Sequence, residues 1–303
     1  MLIFVIAFVV LVVIFVSLLL KGLRDGQGFV VENYSFETEK KIDDFHFVFL
    51  SDLHEVQHGK CNSDLLKAII ECNPDCVLIG GDFLTGYKYI DNDFYDTLEF
   101  LRTLSEQFKI YYVPGNHERA LWDVRDFARV TKNSEKKESD IDRINKLEQL
   151  FSDCGITLIR NDGIFLENVN VCIHGIDLDL EYYRRVIRKK PDVDYLKNAM
   201  GRCEDSCYNI LMVHDPEHFP EYSKCGCDLV LSGHVHGGIV RVPGIGGVIS
   251  PQLRLFPKYD SGVFSKNHTD MLISRGIGTH SVPIRLFNRA ELCDVVVKCV
   301  NRS

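Results

Sequence analysis

The sequence predicts a layered α/β architecture standing behind one long apolar segment. Three observations predict it. From Phe45 onward, short runs of apolar residues alternate with amphipathic segments. Those runs end at clusters of Gly, Asn and Asp, where a chain turns. Residues Ile3 to Leu20 carry no charge and a single hydroxyl, Ser17. With 303 residues, 46% of them hydrophobic and 26% charged, the chain has ordinary globular composition and length for a sizeable core. A net charge of -8 and a pI of about 5.8 argue against a nucleic-acid partner held by phosphate neutralisation. A phosphate substrate stays open, because bound divalent cations invert the local field.

The apolar segment comes first. At ~1.5 Å rise per residue, Ile3 to Leu20 comes close to the ~30 Å hydrocarbon core of a bilayer. A cleaved signal peptide would carry a basic leader and an Ala-x-Ala-like site, and neither is present. A core helix would show a polar face. The segment therefore reads as a single-pass anchor in the cell membrane, spanning 1–24 with its linker, ahead of one domain over 25–303. Lys21 and Arg24 follow it, so the positive-inside tendency puts that domain in the cytoplasm. The eleven cysteines fit a reducing compartment, since their number is odd and Cys76, Cys172 and Cys299 sit inside apolar runs. Cys203-x-x-x-Cys207 and Cys225-x-Cys227 lack the paired spacing of a structural zinc knuckle.

Phe29 to Tyr34 reads as an edge strand and Phe45 to Leu50 as a strand covered on both faces. A helix follows over Ser63 to Cys72, capped by Asn62 or Ser63, with Leu65, Leu66, Ile69 and Ile70 on one side. Strand Cys76 to Ile79, a helix over Phe94 to Gln107 and strand Ile110 to Val113 continue the alternation. Lys132 to Asp140 is a polar insertion, and helix Ile141 to Cys154 stops at Gly155. Shorter strands come next, at Thr157 to Arg160, Gly163 to Leu166, Val169 to His174, Asn209 to Val213 and Asp228 to Leu231. Short strands with Gly and Pro fill the last quarter, which ends in Leu292 to Val300.

The chemistry gathers at five strand ends. They are Ser51-Asp52-Leu53-His54, Gly80-Gly81-Asp82, Gly115-Asn116-His117-Glu118, His214, and Gly233-His234-Val235-His236-Gly237-Gly238. Each follows a buried apolar run, and ligands of open α/β sheets collect at the carboxyl ends of strands. A His-x-His pair alone is equally a pair of surface histidines. Its recurrence with Asp, Asn and His at four other strand ends points to metal ligation.

In that order, Asp-x-His, Gly-Asp, Gly-Asn-His, His and Gly-His-x-His resemble the signature of the calcineurin-like metallophosphoesterase superfamily. The resemblance implies a sandwich of two mixed β-sheets flanked by helices. Ser274-Arg275-Gly276-Ile277-Gly278-Thr279 with Arg285-Leu286-Phe287-Asn288-Arg289 is similar to the tail of one branch. That branch comprises membrane-anchored bacterial phosphodiesterases similar to UDP-2,3-diacylglucosamine hydrolases. Carried onto this chain, the resemblance implies two divalent metal ions. One is held by Asp52, His54, Asp82 and His236, the other by Asp82, Asn116, His214 and His234, with Asp82 bridging. Mixed N/O ligation suits Mn²⁺, Fe²⁺ or Zn²⁺. The implied reaction is hydrolysis of a phosphodiester or pyrophosphate bond by a metal-activated hydroxide.

His117, beside the implied ligand Asn116, is expected to point away from it. The family role for it is catalytic, and the alternative is a partner that orients a ligand. His58 and Glu55 stand where relatives carry small residues, and His58 reads as a loop residue. His174, at a strand end before Gly175, is open between lining the cleft and a satisfied interior histidine. His218, His268 and His280 read as non-ligands. Tyr182 to Lys190 is a basic, aromatic-flanked run, either a solvated face or a surface for anionic headgroups. The expected partners are a phosphorylated small-molecule or lipid substrate and a membrane. A non-catalytic binding scaffold would lack ligands, yet all are present, and a general or cyclic-nucleotide phosphodiesterase is the competing enzyme reading.

Overall fold

A computed structural model describes residues 1–303 except 86–94, 123–144, 146–147, 185–188, 243, 251–253, 280–283 and 301–303. Lys132 to Asp140, residues 141–144 and 146–147 of the helix expected over 141–154, and His280 lie outside the described residues. Residues 148–153 are helical, and Gly155 ends the turn at φ 63°.

Two six-stranded mixed sheets face each other. The first has the order β1 (Phe29–Thr38), β14 (Ala290–Cys299), β2 (Phe45–Leu50), β3 (Cys76–Ile79), β4 (Lys109–Tyr112) and β5 (Thr157–Leu158). From β2 to β5 its neighbours are parallel, β14 runs antiparallel to β2, and β1 closes the edge as expected. The second has the order β12 (Gly262–Lys266), β13 (Thr269–Ile273), β9 (Leu229–Ser232), β8 (Tyr208–Val213), β7 (Val171–Ile176) and β6 (Asp162–Leu166). Here β7, β8, β9 and β13 are parallel, while β6 and β12 pair antiparallel at the edges. A two-stranded ribbon, β10 (Val240–Val242) and β11 (Gly246–Ile249), stands apart.

Period-two alternation decides which side chains fill which layer. Phe45, Phe47 and Phe49 of β2 enter the core between the sheets with Leu78, Val295, Ile210, Met212 and Leu231. Val48 and Leu50 point the other way, onto α2 (Ser63–Cys72) and α3 (Tyr95–Ser105) through Leu65, Ile69, Phe100 and Leu104. On the outer face of the second sheet, Leu211, Val213 and Val230 meet Leu196 and Met200 of helix Val193–Met200 and Phe219 of helix Phe219–Tyr222. Both faces of both sheets are covered, so the central strands read as unbroken apolar runs.

α1 (Leu2–Asp25) is the one helix among the described residues long and apolar enough to cross a membrane. Its apolar side chains from Leu2 to Leu20 are exposed. Its carboxyl end, by contrast, is built into the domain. Arg285 N donates to Gly22 O at 3.1 Å, and Phe287 N donates to the Asp25 carboxylate at 3.2 Å. Lys21 pairs with Asp25 at 3.0 Å. Gly22 and Asp25 are buried.

Candidate metal centre

Strands β2, β3, β4, β8 and β9 deliver the five motif loops to one place, and the backbone there is unusual. Asp52, His54, Asp82, His234 and His236 all adopt the left-handed region, with φ of 56°, 47°, 54°, 69° and 53°. Such residues cost ~1–3 kcal/mol each and persist where surrounding contacts hold them. Those contacts are visible. Asp52 N donates to Gly81 O at 2.9 Å, and His54 N donates to Asp82 O at 3.0 Å. Ile277 N and Gly278 N donate to Ser51 O and Asp52 O at 2.9 and 2.8 Å. Two glycines are required by closeness of approach: a Cβ at Gly233 would strike the Asp52 carboxylate, and one at Gly115 the Asp82 carboxylate.

The loops converge on two carboxylates. Asp82 Oδ2 lies 2.9 Å from His214 Nε2, 3.9 Å from His54 Nε2 and 4.0 Å from His117 Nε2. Asp52 Oδ1 lies 3.2 Å from His236 Nε2, 3.8 Å from His214 Nε2 and 4.0 Å from His54 Nε2. Among the described residues, potential ligand atoms form three sets, the atoms of each within 4.8 Å of one another: Asp52, His54 and His236; His54, Asp82 and His117; Asp82, His214 and His234. All are buried, and Asp82 belongs to two of the sets. His214 donates Nδ1–H to Gly80 O at 2.7 Å, which fixes the ring and turns Nε2 to the cluster. Asn116 opens α4 (Asn116–Trp122), and its Oδ1 is buried with no hydrogen-bond donor on it. An acceptor without a donor, and a carboxylate set between two groups of imidazoles, fit a pair of divalent cations with N/O ligands.

Charge in the cluster is tightly coupled. Burial alone would raise both carboxyls, yet His236 and His214 hold Asp52 and Asp82 below the ordinary carboxylate range. For His214, burial disfavours the charged ring, but the carboxylates of Asp82 and Asp52 push it up to about 10. Burial brings His234 down to about 4 and lowers His54, helped there by His117 and His236.

Asp52, His54, Asp82, His214, His234 and His236 are therefore brought together, and Asn116 stands at the start of α4 beside them. His117 lies beside them. It faces the cluster, its ring 4.9 Å from that of His54, because the first turn of α4 is wrapped against β3's loop by His117 N donating to Asp82 Oδ1 at 2.9 Å. His174, left open between the cleft and the interior, takes the interior place. It is an interior residue of β7, which runs two residues further to Ile176, and its ring meets Met200 O and Asn209 rather than the cleft. His58 is buried, with Nε2 2.8 Å from Ile277 O and its ring edge-on to Phe29. His218 faces Tyr182 O at 3.4 Å, and His268 sits in the turn between β12 and β13 at φ 63°.

Four residues that the sequence reading left without a role shape the centre. Glu118, fully buried, accepts N–H groups of Asp82 at 2.9 Å, Phe83 at 2.8 Å, Leu84 at 3.0 Å and Gly115 at 3.0 Å, plus the Tyr112 hydroxyl at 2.7 Å. Burial, then the Asp82 charge, raises its carboxyl, but donors on both oxygens favour the ionised form. Asn288 donates Nδ2 to His236 O at 2.7 Å and to Gly238 O, while Arg285 donates to Gly276 O and Gly278 O and lies 3.4 Å from His236 Nδ1. Within the basic run, Tyr183 turns inward, its ring 5.3 Å from that of His234. Motif position signalled Glu118, and the tail motif contained Arg285 and Asn288, but their contacts were not legible in the sequence.

The family model for calcineurin-like phosphoesterases matches residues 45–238. The uncharacterized metallophosphoesterase YkuE of Bacillus subtilis is 24% identical over 86% of this chain and 81% of its own length. An uncharacterized metallophosphoesterase of Aquifex aeolicus is 28% identical over 88% of this chain and 91% of its own. A zebrafish transmembrane protein with a metallophosphoesterase domain is 24% identical over 86% of this chain and 54% of its own length. Among solved structures, TT1561 of Thermus thermophilus aligns over 77% of this chain and 89% of its own at 11% identity and a TM-score of 0.40.

Proposed function

The chain belongs to the calcineurin-like phosphoesterase family, a family of metal-dependent phosphoester hydrolases, and from that premise we propose that it cleaves a phosphodiester or pyrophosphate bond at a dinuclear centre beside a membrane. The observation that carries the proposal is Asp82, whose carboxylate belongs to two ligand groups at once. Asp52, His54, Asp82 and His236 would hold one cation, and Asp82, Asn116, His214 and His234 the other. When bound, Mn²⁺, Fe²⁺ or Zn²⁺ supplies Lewis-acid polarisation of a phosphoryl oxygen and an acidified water.

The chain's own residues do the rest. Ser51 Oγ and His234 N donate to Asp52 at 2.6 and 3.0 Å, keeping its carboxylate aimed at His236. Gly80 O orients His214, and Glu118 ties Asp82 to the Asn116 loop. His117 Nε2, facing the cluster from α4, delivers a proton to the leaving oxygen. Tyr183 walls the His214–His234 side against water.

The substrate class we favour is lipid-linked or nucleotide-diphosphate-linked. At the exit of α1, Lys21, Arg24 and Arg289 line a cavity of about 680 Å³ with Leu20 and Asp25, where apolar helix meets cationic groups. That setting suits a phosphorylated headgroup. Residues 1–24 serve as the anchor, with Lys21 and Arg24 on the cytoplasmic side.

The test is hydrolysis by the full chain in detergent of bis(p-nitrophenyl) phosphate, p-nitrophenyl phosphate and a nucleotide-sugar pyrophosphate. Each is run with Mn²⁺ and with chelator. Diester or pyrophosphate cleavage that needs the metal is expected. Cleavage of the monoester alone overturns the bond assignment, and metal-independent or absent cleavage overturns the hydrolase reading.

A further inference from the structure

Four of the cysteines and His174 collect around the amino-terminal side of β7–β9, away from the metal centre. Cys207 immediately precedes β8 and Cys227 lies two residues before β9, whereas His214 and His234 follow the other ends of those strands. Cys172 and His174 lie on β7, and Cys203 follows helix Val193–Met200. All eleven cysteines are free thiols.

The histidine sets the chemistry. His174 Nδ1 is 2.8 Å from Met200 O, and Nε2 is 3.2 Å from Asn209 Oδ1. Asn209 cannot turn its amide around, because Nδ2 already donates to Glu204 O at 2.9 Å and Cys207 O at 3.0 Å. A ring that meets an acceptor at each nitrogen is best satisfied with a proton on both. The counter-charge is at hand: Cys203 Sγ lies 3.7 Å from His174 Nε2. Cys203 is half-buried, and the chain leading to Cys227 passes directly against it, since a Cβ at Gly226 would sit 3.6 Å from Cys203 Cβ.

We propose that Cys203 and His174 form a thiolate–imidazolium pair that reacts with peroxide and closes a disulfide to Cys227. The Cys203 sulfur attacks one oxygen of hydrogen peroxide and the O–O bond breaks. Cys203 is left as a sulfenic acid, and the departing hydroxide takes the proton of the His174 imidazolium to become water. The Cys227 sulfur then attacks Cys203, the S–O bond breaks, and the hydroxyl leaves as a second water with the Cys227 proton. One peroxide is reduced to two waters and two thiols are oxidised to one disulfide. A cavity of about 480 Å³ lined by His174, Cys172, Cys207, Arg202 and Glu204 gives a small oxidant room beside the ring.

The electrostatics agree. The hydrogen bond from Cys227, then His174, outweigh burial and bring Cys203 down to about 5. Burial also works against charge on His174, and contact with Cys203, Met200 O and Asn209 raises its pKa regardless. The neighbouring pair Cys172 and Cys207 is close, at 3.0 Å between sulfurs, but burial and Cys207 push Cys172 up to about 12, so it lacks a ready nucleophile.

The reduced full chain in detergent is alkylated with iodoacetamide at pH 6 and mapped by mass spectrometry. Cys203 should react more than tenfold faster than Cys61 or Cys154, and His174→Gln should remove that advantage. Peroxide should give a Cys203–Cys227 cross-linked peptide in the wild type and a dimedone adduct on Cys203 in Cys227→Ser. Equal alkylation rates, an unchanged rate in His174→Gln, or a Cys172–Cys207 disulfide in place of Cys203–Cys227 would each overturn the proposal.

Discussion

Glu118→Gln tests how the centre is assembled. The carboxylate collects five donors, two on Oε2 (Asp82 N and Gly115 N) and three on Oε1 (Phe83 N, Leu84 N and the Tyr112 hydroxyl). Glutamine has one acceptor oxygen. Its best orientation keeps the Oε1 contacts and turns an NH₂ group onto the N–H groups of Asp82 and Gly115. Two hydrogen bonds to a buried charge disappear, each worth ~1.5–3 kcal/mol, so the loss is about 3–6 kcal/mol. Against the ~5–15 kcal/mol of a typical domain, that is a large fraction. With a urea slope of ~1–3 kcal/mol/M, the midpoint of the metal-free protein should fall by roughly 1–6 M. Trp122 is the single tryptophan and ends α4, where Arg160 lies 4.7 Å from its ring, so its fluorescence reports the affected element. A loss below ~0.5 kcal/mol, the size of a surface substitution, would refute the reasoning.

Three further outcomes follow from the same geometry. His117→Ala should lower kcat by ~10²–10⁴-fold while the metal content stays near wild type, and metal loss equal to that of Asp82→Ala would reject the proton-donor role. Loading the metal-free protein at pH 7 should release protons, because His214, pushed up to about 10, must give up its proton before Nε2 can donate to a cation. Calorimetry in two buffers of different ionisation heat measures this, and identical heats would contradict it. Asp25→Ala frees the Phe287 end of the loop whose Asn288 holds His236 O, so Mn²⁺ affinity should drop several-fold; wild-type binding would show that the end of α1 is a passive tether.

The parallel strands were legible because burial on both faces leaves no alternation to confuse, and helix Ser63–Cys72 and strand Cys76–Ile79 fall where the apolar spacing puts them. The five ligand loops were legible for a chemical reason: Asp52, Asp82 and His236 are polar residues directly after apolar runs, in company that packing does not explain. What escaped depends on contacts far apart in sequence. Glu118 looks like any first-turn acid until three N–H groups of the β3 loop and one of its own loop close on it. The helix Val193–Met200 hides behind Pro191 and a short apolar stripe. His174 and Cys203 are separated by a helix, and only the fold sets His174 Nε2 3.7 Å from the Cys203 sulfur. The end of α1 looked like a linker, yet its Gly22 carbonyl and Asp25 carboxylate are hydrogen-bonded to residues 285 and 287.

The central claim is a pair of cations sharing Asp82. Elemental analysis of the full chain, equilibrated with Mn²⁺ in detergent and then desalted, tests it most directly. The account predicts two ions per wild-type chain and almost none in Asp82→Ala, because that one substitution strips a ligand from both positions. Wild-type protein that retains no metal, or an Asp82→Ala chain that keeps its full complement, would contradict it.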